Sequence, residues 1–209
     1  MQHDFSLMII RIPAILIALT VHELAHGFIA RTLGDDTAER QGRLTLNPIA
    51  HLDFFGTLML FFGPFGWAKP VPVNPMNFSD PKRDMAFVAA AGPISNIVLA
   101  ALTGLFFRLG MVTPHSTLAV FLYILFIINI GLAVFNLLPI HPLDGSRILM
   151  AFLKGNQITN YLRAMTVVPK IFLGMIIAEW FLKIPILSFL LNPIFIPVFK
   201  IAKTLFIGN

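Results

Sequence analysis

Two histidines four residues apart, with a glutamate after the first, form the run His22-Glu23-Leu24-Ala25-His26. On an α-helix, residues i and i+4 share one face, so both imidazoles reach one metal ion while Glu23 points at its open coordination position. The chain of 209 residues has no cysteine, so any metal must be held by imidazole and carboxylate. That donor set suits zinc in a hydrolytic site. A catalytic zinc takes three protein ligands and keeps a fourth position for water, so a third donor is needed. Asp144 stands out for this role. It sits in Asn136-Leu-Leu-Pro139-Ile-His-Pro142-Leu-Asp144-Gly145, where two prolines within four residues break a helix. Irregular backbone near a membrane is tolerated where it lines a polar cavity.

The elements that must position these side chains belong to a membrane protein. Hydrophobic residues make up 57% of the chain and charged residues 12%, with a mean hydropathy of +0.83. A soluble chain carries about 45–50% apolar and about 25% charged residues. Apolar windows at residues 5–30, 86–107, 117–138 and 171–191 approach the length of about 20 residues that a spanning helix needs. The expected fold is therefore an all-α polytopic membrane protein with about four spanning helices, organised as a single domain over residues 1–209. Residues 54–67 are too short and glycine-rich to cross and read as a re-entrant hairpin, and 194–207 reads as a partly inserted C-terminal segment. Residues 31–84 hold Gly42–Pro48 and Lys69–Pro75, whose alternation and turn residues predict a small β-rich insert. The first apolar segment lacks a basic leader and a small-residue cleavage site, so it is expected to be retained. No arginine-rich, aromatic-interleaved stretch suggests nucleic-acid binding.

Topology links the two halves of the site. His26 lies toward the end of the first helix and Asp144 just past the end of the 117–138 helix. For both to meet one ion, an even number of crossings must separate them, which a re-entrant 54–67 provides. The same arrangement gathers most of the lysines and arginines on one face, which the positive-inside rule makes cytoplasmic.

On these residues the chain resembles the site-2 protease family of intramembrane zinc metalloproteases, in its short form without PDZ or CBS domains. His22–His26 matches the family's HExxH helix. Ala90-Ala91-Gly92-Pro93-Ile94-Ser95-Asn96 resembles its glycine-proline-asparagine element, and Asn136–Pro139 leading to Leu143-Asp144-Gly145 matches its third-ligand motif. The resemblance covers residues 10–155 and implies a bacterial or archaeal cell-membrane enzyme that hydrolyses peptide bonds in or near transmembrane segments of substrate proteins.

The implied chemistry uses Zn2+ held by His22, His26 and Asp144, with Glu23 activating a zinc-bound water. Asn96 and Asn136 are candidates for holding an unwound substrate strand or stabilising the oxyanion. His141 is a possible competing ligand. Extended segments such as Phe61–Pro75 are candidates for pairing with the substrate by strand addition. Two alternatives compete with proteolysis. One is a membrane metal transporter or sensor, which should carry polar groups through both membrane halves. The other is a non-proteolytic scaffold for transmembrane partners, which has no need of Glu23.

Overall fold

A computed structural model describes the backbone of residues 2–62 and 66–208. Nine α-helices follow in chain order among the described residues: α1 (Gln2–Thr32), α2 (Thr37–Arg40), α3 (Phe54–Phe62), α4 (Pro81–Arg108), α5 (Thr117–Asn136), α6 (Asp144–Phe152), α7 (Asn156–Ala164), α8 (Val168–Leu182) and α9 (Ile186–Phe206). Single 3-10 turns at Pro48–His51 and Pro75–Asn77 interrupt the polar stretch between α2 and α4.

Local chemistry sets the boundaries of the long helices. Ser116 caps α5 by accepting from the Ala119 amide at 3.1 Å, and Asp80 caps α4 by accepting from the Arg83 amide at 3.1 Å. Pro81 opens α4 at a position where a missing N–H costs nothing. Small residues let the backbones approach: Ala14, Ala18, Ala89, Ala91, Gly92 and Ala100 are buried where α1, α4 and α5 meet their neighbours.

Among the described residues, five segments are long and apolar enough to cross a membrane: Met8–Thr32 of α1, α4, α5, Asn156–Leu182 (α7 with α8) and α9. This corrects the expected four. The apolar window 171–191 is not one helix, because Lys183 takes a left-handed φ of 57° and Pro185 follows, ending α8 and starting α9. The C-terminal segment 194–207, expected to be partly inserted, belongs to α9, which is itself long and apolar enough to cross. Along α9, Val198 faces Ile97, Ala202 packs with Ala100, and Phe206 lies against Gly104, so α9 runs parallel to α4 along its length. Phe199 meets Phe126 and Phe195 meets Gly131, so it runs antiparallel to α5. The N-terminal half of α9 thus lies at the end of the bundle where α5 finishes.

The β-rich insert is also corrected. Among the described residues there is no strand, only one isolated antiparallel bridge between Leu52 and Ala68. The segment Lys69-Pro70-Val71-Pro72-Val73-Asn74-Pro75 alternates as a strand would, but Pro70 and Pro72 strip the donors from one of its edges, and on the other the Lys69 and Val71 amides bond His51 O and Glu23 rather than a partner strand. Side chains and turns hold it instead. The Lys69 amide donates to His51 O at 2.8 Å, Arg43 donates to Lys69 O at 2.6 Å, and the Asn74 amide donates to Asp35 at 2.7 Å.

The hairpin expected at 54–67 is described only in its first leg. α3 has nine residues, far short of the roughly 20 needed to cross. Its turn at residues 63–65 lies outside the described residues. Leu52 and Ala68 pair in the isolated bridge, and a re-entrant course through 54–67 has no further support among the described residues.

Candidate metal centre

His22 and His26 lie in the later half of α1, on the face that packs against α4. Both are buried, at 4% and 8% exposure. Asp144 is the first residue of α6, which packs on α4 from the other direction. The break between α5 and α6 gives this placement its reason. Pro139 and Pro142 end the helical run, and α6 restarts at Asp144 with its carboxylate turned into the bundle.

The three donor atoms converge. His22 Nε2 and His26 Nε2 are 3.0 Å apart, and Asp144 Oδ2 stands 3.2 Å from the first and 3.4 Å from the second. A tetrahedral ion about 2.0–2.1 Å from each donor requires edges of about 3.3 Å. The observed triangle has that size.

The hydrogen bonds around the triangle say what it lacks. His22 Nδ1 donates to Asn96 Oδ1 at 2.6 Å, and His26 Nδ1 donates to the Val88 carbonyl at 2.7 Å. Neutral rings with their protons on Nδ1 present bare lone pairs at Nε2. Asp144 Oδ2 adds another acceptor, buried and without a hydrogen-bond partner. Three lone-pair donors thus face one another with no proton between them, an arrangement that calls for a cation.

Gly92 supplies the room. It lies on α4 directly opposite the two rings, and a Cβ built there would stand 2.5 Å from His26 Nε2 and 2.6 Å from His22 Nε2. Any larger residue would occupy the space into which the donors point. His22, His26 and Asp144 are the one group of potential ligands of this kind among the described residues. The donor set, its spacing, the orphaned carboxylate oxygen and this cradle fit a zinc ion.

Glu23 is half-buried, and its Oε2 accepts from the Val71 amide at 2.8 Å. The proline-spaced segment therefore lies beside the site and fixes one oxygen of this carboxylate. Asp35, at the end of α1, holds the same segment in place. It is fully buried and accepts from the backbone amide of Asn74 and from Asn77 and Thr37. Burial alone would raise its pKa, but these hydrogen bonds outweigh it and hold the carboxyl below the ordinary aspartate value.

The two asparagines singled out in the sequence part company. Asn96 is fully buried, and both its polar atoms are engaged by protein: Oδ1 by His22, Nδ2 by Ala18 O at 3.2 Å and Asn129 Oδ1 at 2.8 Å. Its contacts bind it to one of the paired histidines and to α5. Asn136 donates to Leu132 O within its own helix and is not brought to the histidine pair. His141 is exposed, its amide donating to Met165 Sδ, and does not join the ligand group. Asn129 is the residue the sequence reasoning passed over. Its signal was an amide in the middle of an apolar helix, where it must find a polar partner.

The chain is similar to known proteins over much of its length. The profile described as Peptidase family M50 matches residues 109–178, which include Asp144. The chain is 44% identical over 157 residues to "Putative zinc metalloprotease YwhC" of Bacillus subtilis (strain 168), covering 71% of each chain. It is 30% identical to "Putative zinc metalloprotease Rip2" of Mycolicibacterium smegmatis, over 67% of this chain and 56% of that protein. It is 32% identical to "Putative zinc metalloprotease MJ0611" of Methanocaldococcus jannaschii, over 70% of this chain and 73% of that protein. No solved structure matches the chain.

Proposed function

This chain belongs to peptidase family M50, and from that membership we propose that it is a zinc-dependent intramembrane endopeptidase that cuts peptide bonds in or near transmembrane segments of other proteins. The observation that carries the reading is the convergence of His22, His26 and Asp144 beside Glu23, inside a multi-pass membrane protein. Relatives named as zinc metalloproteases support zinc as the ion.

His22 and His26 would hold the ion through Nε2 and Asp144 through Oδ2. When bound, zinc supplies a Lewis acid that polarises the scissile carbonyl and acidifies water. Glu23 would take a proton from the attacking water and deliver it to the departing amine nitrogen. Its Oε2 is held by the Val71 amide, which leaves Oε1 for that transfer. His22 and His26 are buried between packed helices, a low-dielectric setting that would strengthen electrostatic contacts at the site.

The polypeptide substrate must present an extended peptide bond, because a helical one is shielded by its own turn. The segment 69–75 lies where such a strand would arrive, but its edge cannot form a two-way ladder: Pro70 and Pro72 offer carbonyls without N–H groups. Arg31, Arg40, Arg43, Lys69 and Lys82 fall in or beside the polar stretch between α1 and α4, and Arg147 three residues after Asp144, a concentration of basic residues that supports a site nearer the cytoplasmic side.

Purified protein and its Glu23→Gln variant, reconstituted with zinc and a model transmembrane substrate, test the reading. Loss of general acid–base chemistry should lower cleavage by about 10²–10⁴-fold while zinc is retained. Cleavage by Glu23→Gln at the parental rate would refute it. Comparison of membrane fragments from cells carrying either form would then name the natural substrate.

A further inference from the structure

The amide of Asn129 lies one step behind the ligand shell. Asn129 is fully buried in α5, with its Nδ2 donating to the Leu125 carbonyl at 2.8 Å and its Oδ1 accepting from Asn96 Nδ2 at 2.8 Å. Asn96 Oδ1 in turn accepts from His22 Nδ1 at 2.6 Å. The chain of contacts therefore runs from a backbone carbonyl on α5, through two side-chain amides, to an imidazole on α1.

We propose that this relay has a fixed direction, and that Asn129 is the positioning residue that makes His22 a ligand through Nε2. The argument starts at the Leu125 carbonyl, which can only accept. It forces Asn129 to turn its NH₂ inward and its oxygen toward Asn96. That oxygen can only accept, so Asn96 must present its own NH₂ to Asn129. The Ala18 carbonyl, 3.2 Å from the same nitrogen, makes the same demand. Asn96 is left with its oxygen facing His22, and the imidazole must donate from Nδ1. Nε2 then carries the lone pair that points toward His26 and Asp144.

Rotating either amide by half a turn sets oxygen against oxygen inside a buried, low-dielectric contact, where an unmatched polar pair is costly. Removing Asn129 deletes one of the two acceptors that hold Asn96. Only the longer contact to the Ala18 carbonyl then opposes a half-turn of Asn96, and in the turned form its NH₂ meets His22 Nδ1, while the ring proton sits on Nε2 and competes with the metal. Asn136 lies seven residues along the same helix and also bonds the carbonyl four residues before it, and its NH₂ is spent on that carbonyl rather than on Asn96. It serves as the control for a simple loss of helix polarity.

The proposal rests on the metal-site reading, and the test separates the two. Zinc affinity is measured by chelator competition on purified parent, Asn129→Leu, Asn129→Ser and Asn136→Leu, together with the visible spectrum of each cobalt-loaded protein. Asn129→Leu should bind zinc about 10–100-fold more weakly and show an altered cobalt spectrum, the usual scale for loss of a partner behind a ligand. Asn129→Ser keeps a hydroxyl that can donate to Leu125 O and accept from Asn96, and should recover most of that loss with the parental spectrum. Asn136→Leu should match the parent. If Asn129→Leu keeps parental affinity and spectrum, or if Asn136→Leu loses as much, the relay is overturned while the metal site stands. If Asn129→Leu fails to fold, Asn129→Ala, which removes the amide without adding bulk, takes its place: weaker zinc binding with an altered cobalt spectrum supports the relay, and parental values overturn it. A parent that binds no zinc overturns both.

Discussion

The Nε2 atoms of His22 and His26 stand 3.0 Å apart, each on a ring whose Nδ1 is already committed to a different acceptor. Without a cation the two lone pairs, and the Asp144 oxygen beside them, repel one another. Metal and fold should therefore be thermodynamically linked. Zinc at about 100 times its Kd adds about 2.7 kcal/mol to the native state. For a chain of this size that is a rise of roughly 5–10 °C in melting temperature. Chelation should lower the transition by that amount and zinc should restore it. An unchanged melting curve would mean that the triangle holds no ion.

Gly92→Ala separates helix stability from the site. Alanine is the better helix former by about 1 kcal/mol, so α4 itself should not suffer. The added methyl, however, would stand 2.5 Å and 2.6 Å from the two ligand nitrogens. The variant should keep its helix content by circular dichroism and lose zinc affinity by about 10–100-fold or more. Retention of parental affinity would show that the space in front of Gly92 is not where the ion is held.

Asp35 makes stability depend on pH in a definite direction. Its carboxyl is held below the ordinary value when folded, so protonation favours the unfolded chain. The stabilisation is complete above the ordinary aspartate pKa and disappears as pH falls through the folded one. Asp35→Asn should cost about 1–3 kcal/mol at neutral pH and flatten the acid side of a melting-temperature profile. Because Asp35 also secures Asn74, three residues from the Val71 amide that holds Glu23, the variant should be a poorer protease as well.

The site was readable to the degree that local geometry determines it. His22, Glu23 and His26 follow from helical spacing. Asp144 follows from a proline-broken helix that had to enclose something polar. Asn129 escaped because a lone amide in an apolar helix does not reveal its partner, and Asn96 lies 33 residues away. The insert differs because alternation in Lys69–Pro75 predicts extended backbone but not its partner, and the free amides of Lys69 and Val71 go to His51 O and Glu23 instead of to a strand. The C-terminal helices were misplaced because hydropathy alone does not register the break at Lys183 and Pro185.

Metal content per chain is the most direct measurement of the central claim. Elemental analysis of purified protein should give one zinc per chain, falling to near zero in His26→Ala and in Asp144→Ala while Glu23→Gln keeps it. Undiminished zinc in Asp144→Ala, or none in the parent after incubation with the ion, would contradict a centre built from α1 and α6.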